Sequence, residues 1–327
     1  MTASTTRDAR LLLLTKDHVE QLLQPEGVLA AVREAFVLLS ERAGRVFPVV
    51  RERLETGGIF GIKSGDVPSQ GLLGFKAAGF WPSNRALGGE PHQATILLID
   101  PATGRPTCLI DGNAITTART GAAGGHGLAL LARPDSRRLC LFGTGVQAAV
   151  QLTYALRLLP HLRDVRYVTA DGRPDPAFEQ RFAGQCLLRH STDRNADVAA
   201  SDVVITATPG GGPLFDLDAV RPGTHLNCVG ADTRGKREAP QGLLDKVRIY
   251  VDDEAQARQI GEMQWAPGAA CTEIGDVMRG SASVDRQPED ITLFDMTGLA
   301  LQDLTVARLV QEQAGAAGLG LPVAWPW

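Results

Sequence analysis

Arg119 is the only Lys, Arg, Asp or Glu between Asp111 and Arg133, in a stretch of small apolar and hydroxyl side chains. A guanidinium there either points into a cleft or carries the desolvation cost of a wasted charge. Its planar five-donor fork suits a bidentate grip on a carboxylate. Arg51 and Lys76 are further cations in or beside strand-like segments, and each alone reads as a surface charge. Asp232 follows the apolar run His225–Val229 through Gly230-Ala231, which puts a carboxylate at the carboxyl end of a strand, where open α/β sheets bind ligands. Capping of the next turn fits its local sequence as well.

A second constellation is LCLFGTGVQAAVQLTYAL, residues 139–156. A strand-like run delivers Gly143-x-Gly145-x-x-Ala148, and apolar residues at helical spacing follow. In a pyrophosphate cradle, Gly143 permits the turn, Gly145 leaves room for phosphate at a helix N-terminus, and Ala148 lets the helix approach the sheet. The bare pattern also fits a tight βα turn, and its strand and helix context favours the nucleotide.

The elements that must position these groups change rhythm along the chain. Residues 15–44 read as helical, with Thr15 as cap. Val49–Leu54, Gly58–Lys63, Leu72–Phe80 and Gln93–Asp100 are strand candidates, and Ala94–Ile99 with Pro106–Ile110 forms a hairpin around Asp100–Gly104. Residues 113–132 read as a closely packable helix. From 139 the rhythm is βα: strands at 139–142, 165–169, 185–189, 202–208, 225–229 and 247–251, with helices between several of them. ITLFD and a helix through Leu301–Val310 close the pattern. Such alternation predicts an α/β fold with a doubly wound sheet covered on both faces. The expected division is a nucleotide domain at 125–298 and a second α/β domain made of 1–124 and 299–327.

The 327 residues are 44% hydrophobic and 21% charged, room for two domains of ordinary size. A net charge of −4 gives no electrostatic case for nucleic acid. The five cysteines are scattered without a CxxC, so neither a disulfide framework nor a zinc site is expected. His92 precedes a strand near the expected cleft mouth, but has no companions at ligand spacing, and no metal is expected. Gly210-Gly211-Gly212 lacks the GK[ST] of a phosphate-binding loop, and no Gly-x-Ser-x-Gly elbow occurs. Leu11–Leu14 is too short for a leader, and no apolar stretch reaches a membrane span, so a soluble cytoplasmic protein is the expectation.

KAAGFWP (76–82), HQATILLIDPATGRP (92–106), LIDGNAITTARTGAA (109–123), FGTGVQA (142–148), VGAD with GKRE (229–238) and ITLFDMTGLALQD (291–303) together resemble the ornithine cyclodeaminase and mu-crystallin family, from about residue 30 to 310. The resemblance implies a homodimer, each chain having a Rossmann-type NAD(P) domain and a substrate-binding and dimerisation domain built from both chain ends. It implies NAD(P)H-dependent reduction of a small imino or ketimine acid to an L-amino acid, or the reverse oxidation. Alternatives within it are cyclisation of ornithine with loss of ammonia on a retained NAD, and a non-catalytic binding protein of the mu-crystallin kind.

The same resemblance puts the carboxylate-binding arginine on Arg119, the substrate lysine on Lys76 and an earlier arginine on Arg51, with Arg53 as a possible register slip. It matches Asp232 to an aspartate that holds and deprotonates the substrate amine in the ornithine-cyclising relatives. Asp303 falls near the cleft, either in the site or as a helix cap. For the cofactor it implies Gly143, Thr144, Gly145, Val146 and Gln147 at the turn, with Thr120, Thr208 and Gly298 on the nicotinamide and pyrophosphate side. Asp171, after the strand at 165–169, would accept the ribose hydroxyls and repel a 2′-phosphate. It stands farther from Gly143 than the usual spacing of roughly 20 residues, and Asp171-Gly172 also makes an ordinary turn. NAD(H) is favoured over NADP(H).

Overall fold

A computed structural model of the chain describes residues 9–325. The chain forms two compact units, Met1–Arg119 with Leu299–Trp327, and Thr120–Gly298. The division falls inside the helix Gly112–Leu131, ahead of the position expected from sequence, and assigns 120–124 to the second unit.

The first unit is built on an eight-stranded mixed sheet. Its order is Leu321–Ala324, Arg10–Leu14, Pro106–Asp111, His92–Ile99, Leu72–Phe80, Ile59–Val67 and Arg45–Val46, with Val50–Arg53 also paired to Ile59–Val67. Most neighbours are antiparallel, and Arg10–Leu14 runs parallel to Pro106–Asp111. Leu11–Leu14 is therefore an inner strand, joined to a partner from the far end of the chain. The expected hairpin forms, closed by Gly104 N–H donating to Asp100 O at 2.8 Å.

The expected helix at 15–44 is two, Lys16–Leu22 and Pro25–Ser40. Pro25 drives the residue before it out of the helical region, and Gln24 is extended at φ −102°, ψ 133°. The helix Ala300–Ala317 packs on one face of the sheet. Gly74 lies under it, where a Cβ would stand 2.9 Å from Leu304 Cδ2 and 2.5 Å from Leu97 O.

The second unit is an eight-stranded sheet, all of whose pairings are parallel. Its order is Leu187–His190, Asp164–Val168, Arg138–Phe142, Val203–Thr206, His225–Cys228, Thr292–Asp295, Arg248–Val251 and Cys271–Glu273. Counted along the chain, the order begins 3-2-1-4-5, the doubly wound pattern, and it reverses between Arg138–Phe142 and Val203–Thr206. The strands Val203–Thr206, His225–Cys228 and Thr292–Asp295 are buried throughout, as a sheet covered on both faces requires. Among the described residues, no helix is long and apolar enough to cross a membrane.

Candidate active site

In the first unit, antiparallel register decides which side chains share a face. Lys76 is opposite Lys63, and Gly61 is opposite both Ala78 and Arg51. His92 is opposite Phe80. Side chains two apart lie on one face. Arg51, Arg53, Lys63, Lys76 and His92 therefore project from the face that carries Gly74 and the helix Ala300–Ala317. Arg51 and Arg53 share that face, and Arg51 is the nearer to Lys76 along the register.

Asp303, in the first turn of that helix, ties this face together. Lys76 Nζ donates to Asp303 Oδ1 at 2.8 Å and lies 2.7 Å from Oδ2. Arg119 Nε donates to the same Oδ1 at 3.1 Å, and Arg119 Nη1 to Gln302 Oε1 at 3.3 Å. Lys76 also lies 3.3 Å from Thr116 Oγ1, one turn before Arg119 on the helix Gly112–Leu131. Lys76 is 4% exposed, Arg119 8% and Asp303 0%. The isolated arginine of the sequence thus has a buried anion to answer it. Gln302 Oε1 also accepts from Leu299 N–H, while its buried Nε2 has no hydrogen-bond partner among the described residues.

Burial brings the Lys76 ammonium down to about 7, against the pull of Asp303 and with the push of Arg119 and Lys63. Asp303 is held below the usual aspartate value: its own burial opposes ionisation, and Lys76 and Arg119 overcome that. One carboxylate shared by two buried cations leaves the cluster one positive charge in excess when Lys76 is protonated. Such a site can take up one more anionic group.

In the second unit, the glycine turn has the geometry of a nucleotide cradle. Gly143 has φ +104°, and a Cβ on it would stand 2.7 Å from Ala207 O, on the neighbouring strand's exit. Gly145 is the N-cap of the helix Val146–Leu158, and a Cβ there would meet no protein atom within 4 Å. The chain's own packing thus does not demand Gly145, whereas close approach of a phosphate would. Val146 is exposed, and Gln147 Oε1 is buried without a hydrogen-bond partner among the described residues. The turn lies at the reversal of strand order, and these residues fit a dinucleotide.

The other expected cofactor residues are placed more by neighbours than by themselves. Glu238, fully buried, accepts from Thr206 Oγ1 at 2.7 Å, Thr208 N–H at 2.8 Å, Thr208 Oγ1 at 2.6 Å and Gly230 N–H at 2.7 Å. It clasps the loops leaving two adjacent strands, and burial raises its pKa. Asp252 accepts from Thr297 N–H and Gly298 N–H at 2.8 and 2.6 Å, fixing Gly298 at φ +78°. Gln151 donates to Thr120 O at 2.8 Å. Asp171 is exposed and accepts from Arg173 N–H at 3.1 Å, so the turn seen in sequence does form, and that contact lowers its pKa. The Phe178 N–H, and after it the Thr144 side chain, lower the pKa of Asp175, cap of the next helix. Asp232 pairs with Lys236 at 2.6 Å and accepts from Thr233 Oγ1 at 3.1 Å.

Thr116, Gln302, Glu238 and Asp252 were not singled out from sequence. Thr116, Glu238 and Gln302 stand inside the stretches that carried the resemblance, and Asp252 does not. Among the described residues no His, Cys, Asp and Glu group could hold a metal ion.

A parallel doubly wound unit with a glycine cradle, together with a unit that presents buried cations around one aspartate, defines an oxidoreductase of the dinucleotide-binding class acting on small carboxylates. The model of the ornithine cyclodeaminase/mu-crystallin family matches residues 10–318, and the chain belongs to that family. It is 32% identical over 324 residues to an iminosuccinate reductase of Paracoccus denitrificans, covering 96% of this chain and 99% of that one. It is 34% identical over 319 residues to an alanine dehydrogenase of Archaeoglobus fulgidus, covering 94% and 97%. Among solved structures, an archaeal alanine dehydrogenase dimer with bound NAD superposes with a TM-score of 0.89 at 31% identity, over 96% of this chain and 99% of that one.

Proposed function

We propose that this chain is an NAD(H)-dependent oxidoreductase that reduces the C=N bond of a small imino or ketimine acid to an L-amino acid, and runs the reverse oxidation. The observation that carries the reading is the buried Lys76–Asp303–Arg119 cluster, which has two cations for one carboxylate. Bound at the Gly143–Gln147 turn, the dinucleotide would supply or accept hydride. NAD(H) is supported by Asp171 after the second strand and by the NAD-bound archaeal structure.

The chain's own residues then do the following. Arg119 grips the substrate carboxylate, keeping its Nε on Asp303. Lys76 donates a second hydrogen bond to that carboxylate or to the developing amine, and Arg51 supplies a further cation on the same sheet face. Asp303 holds both buried cations in place and fixes their direction, so orientation is set before the reaction begins. Asp232 is assigned to holding the substrate amine by charge and hydrogen bonding. Thr120, Thr208 and Gly298, fixed by Gln151, Glu238 and Asp252, line the cofactor. The units Met1–Arg119 with Leu299–Trp327 and Thr120–Gly298 serve as the substrate and dinucleotide domains of a cytoplasmic homodimer.

The test is the absorbance of NADH in the presence of purified protein and a panel of substrates. The panel holds small 2-oxo acids with ammonia, preformed cyclic ketimines, and oxaloacetate with ammonia. Oxidation of NADH with formation of the amino acid is expected. An unchanged absorbance across the panel overturns the reading, and proline with ammonia from ornithine without net redox change replaces it with cyclodeamination.

A further inference from the structure

His92 is used by neither the carboxylate grip nor the cofactor turn, yet it is held in a defined state. Its Nδ1 lies 3.0 Å from Asn113 Oδ1. Asn113 Nδ2 donates to His92 O at 3.1 Å and to Glu90 Oε2 at 3.0 Å, so the amide's orientation is settled and its oxygen faces the ring. Lys16 in turn donates to Glu90 Oε1 at 2.6 Å. An amide oxygen only accepts, so Nδ1 carries the hydrogen and Nε2 carries the lone pair.

Where the ring stands follows from the helix Gly112–Leu131. Asn113, Thr116 and Arg119 are spaced by three residues along one side of it, and they hold His92, Lys76 and Asp303 in that order. Each step rises about 4.5 Å, from 1.5 Å per residue. On the same sheet face His92 is the next polar side chain of its strand beyond the small pair Ala78 and Ala94, and it is half-buried where Lys76 is closed off. The charged groups that act on it are Lys76 from the sheet, Arg119 from the helix, Asp303 from the last helix, and Glu90, itself paired with Lys16, at the outer end. Burial, with Lys76 as the next cause, keeps the ring's pKa below the usual histidine value.

Resting on the function proposed above, we propose that His92 is the proton-exchange residue of this site, its Nε2 taking a proton from the substrate's ammonium group in oxidation and returning one to nitrogen in reduction. In the oxidative direction the N–H bond breaks and its proton goes to Nε2. The freed nitrogen lone pair forms the C=N bond as the Cα–H bond breaks, its electron pair leaving as hydride to the oxidised dinucleotide. The imidazolium then gives its proton to solvent, which the half-buried ring reaches and Lys76 does not. Asn113 and Glu90 are positioning residues for this step, since they fix the tautomer.

Two measurements test it on the full-length protein. In amino-acid oxidation, His92→Gln is expected to lower kcat about 100-fold, the scale of a lost general base. KM should move little, the acid limb of the kcat profile should disappear, and added imidazole should restore part of the rate. A kcat within about threefold of wild type, or an unchanged acid limb, overturns the proposal. Independently of turnover, the His92 ring of the wild type is followed by 15N NMR, assigned by its absence in His92→Gln. Its neutral form should be the Nδ1–H tautomer, and pyruvate should raise its pKa by on the order of half a unit, by offsetting the field of Lys76 and Arg119. A titration that pyruvate leaves unmoved overturns the assignment even where no substrate is turned over. Failure of the wild type to oxidise or reduce any substrate overturns the function itself.

Discussion

Asp303→Asn removes the charge that Lys76 and Arg119 share while keeping the side chain's shape. Asp303 has no exposed surface, so solvent cannot substitute for the lost anion. Removing one partner of a buried ion pair costs about 3–5 kcal/mol when the remaining charge stays buried. Lys76 has an escape that Arg119 lacks, because burial already brings it down to about 7. In the variant it loses the attraction and the hydrogen bond of Asp303, so its folded pKa drops further, and it folds neutral. At pH 8 wild type and variant both hold a mostly neutral Lys76, and the deficit is the Arg119 pairing, on the order of 2–3 kcal/mol. Below about pH 7 the wild type binds the Lys76 proton in both its folded and unfolded states. The variant binds it only when unfolded, so its stability falls by roughly 1.4 kcal/mol per pH unit. Urea unfolding of both proteins at pH 6, 7 and 8, followed by circular dichroism, measures this. A deficit that is constant across the range, or that grows as pH rises, would refute the coupling of Lys76 to Asp303.

Arg119→Lys keeps a positive charge but loses the fork. It should lower kcat/KM at least 100-fold, about 3 kcal/mol within the 2–5 kcal/mol range of a truncated buried charge pair, while NADH affinity is kept; kcat/KM near wild type removes Arg119 from the grip. Binding of oxalate, which does not titrate near neutrality, should weaken as pH rises through about 7, because Lys76 is charged below that value and neutral above it. Lys76→Met should flatten that dependence, and calorimetry at several pH values reads both. Gly145→Ala should leave stability within about 1 kcal/mol, because its Cβ meets no protein atom, and raise the NADH dissociation constant at least tenfold, a threshold of about 1.4 kcal/mol. Gly143→Ala should instead destabilise by about 1–3 kcal/mol, from its φ of +104° and its clash with Ala207 O; equal thermal effects of the two substitutions would contradict this division of roles.

Local pattern made much of this fold legible. Short strand-like runs bounded by turn residues found the strands at 72–80, 94–99 and 106–110, and the βα rhythm found the parallel sheet, because those signals repeat within a few residues. The Leu11–Leu14 run shows the limit. Four leucines do not announce an inner strand whose partners are Pro106–Asp111 and Leu321–Ala324. Asp303 shows it more sharply. Its partners Lys76 and Arg119 are 227 and 184 residues away, and no spacing rule joins them. The sequence did indicate that Arg119 either points into a cleft or carries a wasted desolvation cost, and it did not offer a buried partner. It could not say that the partner was an aspartate which reads locally as a helix cap. Glu238 was hidden for the opposite reason: a glutamate in a loop near Lys236 and Arg237 looks exposed, and only the meeting of two strand exits buries it.

The place of Asp303 on its helix explains how a buried aspartate stays charged while the site remains receptive to anions. It stands in the first turn of Ala300–Ala317, where the unpaired backbone N–H groups and the helix dipole favour negative charge. Lys76 and Arg119 add to that, and together they outweigh the burial that opposes ionisation. Asp303 therefore does not need the full charge of both cations to remain an anion. The remainder of their field is available to a ligand. With Lys76 protonated, the cluster carries one charge in excess, and a bound substrate carboxylate brings Lys76, Arg119, Asp303 and substrate to neutrality. A second aspartate in place of Gln302 would cancel the excess before any substrate arrived. The neutral Gln302, which takes a hydrogen bond from Arg119 through its oxygen, holds the guanidinium without using up its charge. An aspartate beside a glutamine at the start of this helix gives rigid cations and a vacancy for one negative charge, which is what recognition of a small amino or imino acid requires.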